Sequence, residues 1–324
     1  MTLTRRRLIQ TGTALSAAAL VPTRLFARNT DTVRLGWGRG GLSLIAKQRG
    51  VFEKTLADQG IKTEWVGPFP NHAPSMQAVV GGSADFGFWG STTPALAAII
   101  AGSPLVFVQF NVYNPRSTAI IVKKSSGINS ISDLVGKRVA VNRSGLGEFL
   151  LIAALEKNGV PRDQVEVAYL NPPDAAPAFG QGKVDAWSMW TPGVDIARDQ
   201  FDAKTIFFEG TDMDRLIDFS SLVTTREFAE ENADLVRAVN AAYRTEGEWM
   251  SKNVAEAEEI AQREAKYDDL VRDYLIGLNR QNVFYEADDP AFLADFQYAA
   301  DWLAEREILP RQITVADHVV GGVA

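Results

Sequence analysis

The 324-residue chain contains no cysteine and only two histidines, His72 and His318. The lack of thiols excludes disulfide bonds, a cysteine nucleophile, thiolate metal ligands and an acylated lipoprotein cysteine. A catalytic triad or a metal site would need more convergent bases or ligands than these two histidines offer. The sequence therefore predicts a protein that is not an enzyme and that holds no metal ion or cofactor.

The chain also lacks an excess of positive charge, since its formal net charge is −7. A nucleic-acid partner needs a basic face on the protein and is therefore not expected. Beyond residue 27 no hydrophobic run reads as a membrane span, so membrane attachment would need a partner protein. The composition, 46% hydrophobic and 23% charged, is that of an ordinary globular protein long enough for two lobes.

Residues 1–27 have the pattern of an export signal. Arginines at positions 5–7 precede an apolar stretch from Ala14 to Val21, and Ala27 marks a plausible cleavage point. The order Thr-Arg-Arg-Arg-Leu-Ile resembles the twin-arginine export signal, an address that a receptor reads. The alternative is a basic amphipathic start to a cytosolic protein. We expect a periplasmic protein whose signal peptide is removed near Ala27.

Short β-rich runs then alternate with helical patterns. This alternation predicts an α/β fold of two lobes, each a mainly parallel sheet flanked by helices. Leu42 to Gly60 reads as one helix, and from Arg226 onward the pattern is helical almost to the end. The predicted strands are VRLGWG, KTEWVGP, ADFGFW, LVFVQF, TAIIVKK, KRVAVNR, VEVAYL, VDAWSMW, TIFFEG and SLVTT.

A short correspondence links the two halves of the chain. Gly82 and Asp85 precede one predicted strand, and Gly182 and Asp185 precede another at the same spacing. Gly-x-x-Asp before a strand is a common turn in α/β proteins. The match supports two similar lobes without proving a duplication.

Ligands of open parallel sheets bind beyond the carboxyl ends of the strands, where helices begin. Four such ends carry glycine, hydroxyl or aromatic residues, at 38–41, 90–94, 144–147 and 190–192. Helix N-termini expose unpaired N–H groups and the positive end of the dipole, so two facing helix starts predict a site for a small oxyanion. Each stretch taken alone could be a turn or an N-cap, and their joint placement in both halves favours a site.

The tryptophans of VDAWSMWTP differ in their expected environment. Trp187 and Met189 share one face of the strand, so Trp187 suits the core as well as a site. Trp190 lies at the strand end beside Pro192, where it would form an apolar wall against the organic part of a ligand. Packing between the lobes is the alternative for Trp190.

At these residues the sequence resembles the periplasmic substrate-binding proteins of ABC importers for aliphatic sulfonates, taurine and nitrate, the sulfonate and taurine branch most. The resemblance covers roughly Val33 to Thr225 and is carried by GWGRGG, GGSADFGFWGSTTP, NPRSTAIIVKK, SISDLVGKRVAVNRSG, LLIAALEKNGV and VDAWSMWTP. It implies a two-lobed type II periplasmic binding protein fold whose hinge closes around a ligand in the cleft. It also implies an ABC permease as partner, and we expect a monomer.

The resemblance places the crossovers between lobes near Arg116–Ser117 and Phe219–Ser220. The first lobe would comprise residues 28–116 and 220–324, and the second lobe residues 117–219. The hydroxyls at 91–93 would meet the anionic group, with the glycine turn of the second lobe opposite. The candidate ligand-binding residues are Arg39, Gly40, Ser91, Thr92, Thr93, Arg116, Ser117, Ser144, Gly145, Leu146, Gly147, Glu148, Trp187, Trp190 and Pro192.

Some positions depart from the family pattern. Thr118 stands where many relatives have a glutamate, and Gly193 stands where an aromatic often follows, which would leave room for a bulkier substituent. Leu146 and Glu148 lie in a loop that tends to carry polar residues and a histidine or tyrosine. Glu148 would repel an anion unless it faces away or pairs with a neighbouring arginine, at 116 or 143, and it could instead meet an amino group of the ligand.

The expected ligand is a small organic anion, most of all an alkyl- or arylsulfonate. The alternatives are a nitrate- or taurine-type or other organic-anion binding protein, an enzyme on the same fold such as a thiamine-pyrimidine synthase-like protein, and a sensor domain.

Overall fold

The computed structural model describes residues 31–323, so that the predicted export signal lies outside the described residues. The strands, in chain order, are β1 Thr32–Gly38, β2 Lys62–Phe69, β3 Gly90–Ser91, β4 Leu105–Asn114, β5 Ala119–Lys123, β6 Arg138–Val141, β7 Glu166–Tyr169, β8 Ala186–Met189, β9 Ala203–Phe208, β10 Ser220–Thr225 and β11 Gln281–Glu286. Among residues 31–323, no helix has the length and apolar character needed to cross a membrane.

Helices flank these strands throughout the described part. They are α1 Gly41–Arg49, α2 Val51–Ala57, α3 His72–Val80, α4 Thr92–Ile100, α5 Leu146–Lys157, α6 Pro172–Gly180, α7 Gly193–Gln200, α8 Glu209–Asp212, α9 Arg226–Glu231, α10 Ala233–Lys252, α11 Val254–Ala265, α12 Asp269–Gly277 and α13 Pro290–Glu305. Short 3₁₀ turns occur at Lys124–Ser126, Ile131–Leu134, Arg162–Gln164 and Val315–His318.

The strands divide between two lobes. In the first lobe, β1 pairs with β2, and a second group has the order β11-β4-β10-β3. A bridge between Leu35 and Phe86 and a hydrogen bond from Gly87 N–H to the Val223 carbonyl (2.9 Å) lie between the two groups. The second lobe has one sheet of order β7-β6-β8-β5-β9, whose strands all come from residues 119–208.

The predicted α/β fold with helices on its sheets is confirmed, but the sheets are mixed rather than mainly parallel. β1 and β2 are parallel, as are β6 and its neighbours β7 and β8. Every pair within β11-β4-β10-β3 is antiparallel, and β5 runs antiparallel to β8 and β9. β4 and β5 belong to different sheets and are joined by residues 115–118 without a helix.

Three predicted elements differ in the structure. Gly50 adopts the left-handed conformation (φ 68°), which divides the single helix predicted for Leu42 to Gly60 into α1 and α2. ADFGFW is not a regular strand, because within it only Phe86 forms a bridge. The helical pattern predicted after Arg226 is interrupted by β11, which pairs with β4.

The Gly-x-x-Asp correspondence has the same hydrogen bonds in both lobes. The N–H of Arg34 donates to Asp85 Oδ2, and the N–H of Arg138 donates to Asp185 Oδ2, both at 2.8 Å. In return, each aspartate N–H donates to the carbonyl of the same arginine, at 2.8 Å and 2.7 Å. The two turns are therefore attached in the same way, one to β1 and the other to β6.

The cores form from the apolar stripes of the helices and the buried faces of the sheets. The apolar residues at helical spacing on α10 (Leu235, Val239, Ala242 and Tyr243) and on α13 (Phe292, Phe296, Ala299 and Leu303) are all buried. Helix α5 is buried from Gly147 to Leu155 because it packs on two sides. Its Leu150 belongs to the second-lobe core, whereas its Phe149 packs in the cluster of Ile217 and Phe219. This packing sets the N-terminus of α5 in the interior of the molecule.

Candidate ligand-binding site

The start of α4 is filled by a carboxylate of the chain itself. The hydroxyls of Ser91, Thr92 and Thr93 and the N–H of Thr93 all donate to Oδ1 of Asp218, at 2.6, 2.9, 3.0 and 3.0 Å respectively. Asp218 is only 1% exposed. The donors that the sequence predicted for a ligand's anionic group therefore have an internal partner in this structure.

Arg116 lies in the same buried cluster. Its Nε is 3.1 Å from Glu209 Oε1, and its terminal nitrogen is 3.8 Å from Asp218 Oδ2. Burial raises the pKa of Asp218, an effect that the positive charge of Arg116 and then the hydrogen bonds to the carboxylate partly offset. The structure thus pairs Arg116 with two carboxylates of its own chain.

The turn before α5 also has an internal carboxylate partner. Glu148 accepts a hydrogen bond from the N–H of Ser144 and another from the hydroxyl of Tyr169, both at 2.6 Å. Arg143 does not pair with Glu148 and instead stacks on the Tyr169 ring, 3.7 Å from its centroid. Burial and then Glu148 raise the pKa of Tyr169, so that its hydroxyl remains a donor. The sequence left open whether Glu148 faces away from an anion, pairs with an arginine or meets the ligand. In the structure its carboxylate bonds to Ser144 and Tyr169 and so faces its own loop.

Close packing against a side chain at Gly145 and against backbone at Gly147 leaves no room for a Cβ at either glycine. A Cβ on Gly145 would lie 1.5 Å from Asn142 Nδ2, and a Cβ on Gly147 would lie 2.3 Å from the Ser188 carbonyl oxygen. The N–H of Gly147 donates to Asn142 Oδ1 at 3.3 Å. Within the described residues, the N–H groups of Gly145 and Leu146 have no hydrogen-bond acceptor. The first turn of α5 therefore keeps unpaired donors.

An N–H group at the start of α1 has a different kind of partner from the carboxylates found at α4 and α5. Gly40 is its N-cap, and the N–H of Leu42 donates to the hydroxyl of Tyr113 at 3.3 Å. Arg39 has a side chain that is 64% exposed and pairs with Glu264 of α11 at 2.5 Å. The cation predicted at this strand end thus has a partner on the neighbouring helix.

Ser117 joins the first-lobe segments to α7. Its hydroxyl accepts a hydrogen bond from Arg280 at 3.3 Å, and its carbonyl accepts one from the Thr191 hydroxyl at 3.2 Å. Arg280 also pairs with Glu258 at 2.8 Å. Neither Arg280 nor Asp218 was predicted from the sequence, because both reach these residues through contacts remote along the chain and no local motif marks them.

The two tryptophans have different environments, as their positions in the strand suggested. Trp187 is 2% exposed and packs in the second-lobe core, with its ring 6.3 Å from that of Phe179. Trp190 is half-buried at the end of β8, followed by Pro192, the N-cap of α7. A Cβ on Gly193 would lie 2.7 Å from Met189 Cε, so Met189 fills the space that the sequence left for a bulkier ligand substituent.

Two cavities are lined by residues that are not among the predicted ligand-binding residues. One, of about 230 Å³, separates α7 from α12 and is lined by Asp195, Arg198, Asp199, Leu270, Val271 and Tyr274. The other, of about 20 Å³, is lined by Tyr113, Met250, Val254, Ala257, Glu258, Arg280 and Asn282. Among residues 31–323, no group of three or more histidine, aspartate and glutamate side chains is arranged to hold a metal ion.

Two lobes, each with strands flanked by helices, are joined by residues 115–118 and 209–219, and this is the architecture of the periplasmic binding protein fold. The solved structure of the periplasmic aliphatic sulphonate binding protein SsuA from Escherichia coli has a TM-score of 0.78 and 25% identity, covering 90% of this chain and 92% of that chain. The alkanesulfonate-binding protein SsuA from Xanthomonas axonopodis pv. citri, bound to MOPS, has a TM-score of 0.80 at 24% identity, covering 90% of this chain and 98% of that chain.

Sequence comparison then gives the family. Residues 42–257 match the family model described as NMT1/THI5 like. The protein named "Putative aliphatic sulfonates-binding protein" in Escherichia coli strain K12 is 31% identical over 71% of this chain and 71% of its own length. The chain therefore belongs to the NMT1/THI5-like family.

Proposed function

We propose that this protein is an extracytoplasmic solute-binding protein of an ABC importer that captures a small organic anion, an aliphatic or aryl sulfonate. The observation that carries the proposal is the 31% identity with the protein named "Putative aliphatic sulfonates-binding protein" over 71% of both chains. The contacts of two helix starts support the proposal, because Thr93 of α4 bonds to Asp218, and Phe149 of α5 packs with Ile217 and Phe219 in the same segment before β10. The captured ligand would then be delivered to a permease in the membrane.

The first turn of α5 is the best place for the charged group of such a ligand. The N–H groups of Gly145 and Leu146 have no acceptor among the described residues, and the helix dipole favours an anion there. The exposed Arg143 adds positive charge two residues before Gly145. Trp190 would shield the organic part of the ligand, as its half-buried position at the strand end allows.

Closure of the two lobes would supply the rest of the binding energy. In the present arrangement Ser117 contacts both Arg280 and Thr191. Such contacts between segments from opposite lobes would stabilise a closed state, which a ligand bound to both lobes would favour further.

Export to the periplasm fits this role. The proposal includes a twin-arginine signal peptide at residues 1–27, removed near Ala27. Mass spectrometry of the protein recovered from the periplasm tests it: a mature chain that begins near Arg28 is expected. Retention of the intact chain in the cytosol would contradict export.

A thermal-shift panel tests the ligand class. Alkyl- and arylsulfonates should raise the unfolding temperature of the mature protein in a saturable way, and the matched carboxylates should raise it less. Nitrate and taurine separate the related ligand classes. The same samples, examined by NMR after incubation, should contain unchanged sulfonate, because the protein is proposed to bind and not to transform its ligand. Turnover would favour an enzyme on this fold, and binding without an adjacent permease and ATPase would favour a sensor.

A further inference from the structure

Four donors that converge on one buried oxygen are the usual means of binding an oxyanion, and here that oxygen belongs to Asp218. We propose that Asp218 is a resident anion that excludes the ligand's charged group from the start of α4 and so determines where, and in which orientation, the ligand binds. This inference rests on the proposed function, since it assigns the charged group of the organic anion to the second lobe.

The geometry makes Oδ1 of Asp218 an acceptor only. The Thr92 hydroxyl accepts a hydrogen bond from the N–H of Phe219 at 3.2 Å, so its own hydrogen is directed to Asp218 at 2.9 Å. Ser91 and Thr93 add hydroxyl hydrogens to the same Oδ1 atom. An oxygen that receives three hydroxyl hydrogens and one N–H carries no hydrogen of its own, and the guanidinium of Arg116, 3.8 Å from Oδ2, favours the ionised form of the carboxyl group.

The surrounding charges make the cradle unfavourable for a second anion. Arg116 is the cation next to Asp218, and it is shared with Glu209, so one guanidinium group faces two carboxyl groups. Asp218 Oδ2 and Glu209 Oε2 are buried and have no hydrogen-bond partner in the described part of the chain. A sulfonate brought to this position would meet like charge in a site from which water is excluded.

The start of α5 differs from that of α4 in whether its N–H groups already have an acceptor. Its nearby carboxylate, Glu148, takes the N–H of Ser144, which lies before the helix, and the hydroxyl of Tyr169. The N–H groups of Gly145 and Leu146 stay available. The two helix starts are therefore unequal, and only the one in the second lobe can accept an external anion.

Chemical rescue tests whether Asp218 fills an anion cradle. Asp218→Ala should lower the unfolding temperature, and sodium formate should restore it in a saturable way that sodium chloride of equal ionic strength does not reproduce. Wild type and Asp214→Ala, whose aspartate is exposed in the same segment, should show no formate effect. If Asp218→Ala is soluble only in formate, that result also supports the proposal. A variant that formate fails to stabilise, or fails to bring into solution, overturns it.

The charge of Asp218 is tested separately with Asp218→Asn, which keeps the shape and removes the negative charge. Its affinity for a sulfonate that wild type binds should rise about tenfold or more at low salt, and the gain should shrink as salt is added. Asp214→Asn should bind like wild type at every salt concentration. Equal affinity and equal salt dependence of Asp218→Asn and wild type would overturn the inference. Because the formate test uses no sulfonate, failure of the proposed function would be seen independently, as a wild type that binds no sulfonate.

Discussion

The Nδ1 atom of His72 lies 2.9 Å from the carbonyl oxygen of Ser91. Because a carbonyl oxygen only accepts, Nδ1 carries the proton and donates, while the buried Nε2 has no partner within residues 31–323. This bond connects the first residue of α3 to the residue that precedes α4. A neutral imidazole therefore helps to hold the hydroxyl cradle around Asp218.

This histidine should make the protein less stable in mild acid. Burial lowers the pKa of His72 from 6.5 to about 4, and the Ser91 carbonyl opposes that shift only in part. The unfolded chain binds a proton as pH falls through about 6.5, whereas the folded chain does not until near pH 4, so stability is lost between these values. The full loss is on the order of 3 kcal/mol. Urea unfolding of wild type and His72→Asn at about pH 7 and about pH 5 measures the part of this loss that falls above pH 5, about 2 kcal/mol.

Buried carboxyls such as Asp218, whose pKa is raised, change stability in the opposite direction over an overlapping range. The comparison with His72→Asn removes their contribution because both proteins contain them. His318→Asn is the matched control, since His318 is more exposed and should leave most of the pH dependence in place. An unchanged pH dependence in His72→Asn would refute the assignment of a neutral buried imidazole.

Gly147, in the first turn of α5, should tolerate no side chain. In Gly147→Ala the new Cβ would meet the Ser188 carbonyl oxygen at 2.3 Å, which is backbone and cannot move aside cheaply. We expect a loss of about 1–3 kcal/mol in the free energy of unfolding, together with weaker sulfonate binding. Gly277→Ala is the control because a Cβ there has no atom within 4 Å, and it should be neutral or slightly stabilising. Urea denaturation of both variants provides the comparison, and equal stabilities would be evidence against the packing described.

The two tryptophans should separate stability from binding. Trp187→Ala removes a side chain that is 2% exposed, and should cost about 3–5 kcal/mol of stability. Trp190→Ala should cost clearly less stability and should weaken sulfonate affinity more. Chemical denaturation and calorimetry on both variants give the two quantities. If Trp190→Ala binds like wild type, the apolar wall of the ligand site lies elsewhere.

The equivalent aspartates of the two lobes should have unequal effects. Asp85 is 2% exposed and pairs with the side chain of Arg34 as well as its N–H. Asp185 is exposed and receives the N–H of Arg138. We expect Asp85→Asn to cost about 2–4 kcal/mol because it disrupts a largely buried ion pair, and Asp185→Asn to cost less than about 1 kcal/mol. Thermal unfolding of both variants checks the order, and a reversed order would contradict it.

Much of the fold could be predicted because its signals are local. Runs of β-branched and other apolar residues predicted most strands. The spacing of apolar residues along α10 and α13 marks the faces that are buried. β11 was missed because Gln281 to Glu286 follows a helix and has few branched residues, and its strand conformation depends on pairing with β4, far earlier in the chain. ADFGFW was overpredicted because β-rich composition does not ensure a full ladder of partners.

The candidate site was predictable only as far as its helix starts. Glycines and hydroxyls at strand ends marked the starts of α4 and α5, and at α4 the donors converge on Asp218. The partner of the α4 donors could not be foreseen, since Asp218 lies 125 residues from Thr93 in sequence. The same holds for Arg280, which lies just before β11 and donates to Ser117. Hydrogen-bond donors can be predicted from the local sequence, whereas the acceptors that they already contact are set by the tertiary structure.

Titration calorimetry of the mature chain with a series of alkyl- and arylsulfonates tests the central claim most directly. We expect one sulfonate per chain, a dissociation constant in the micromolar range or below, and a negative heat-capacity change from burial of the organic part beside Trp190. The series should include taurine and nitrate, so that a related anion is recognised if it binds more tightly. An absence of binding heat with every sulfonate, at several temperatures, would contradict the account.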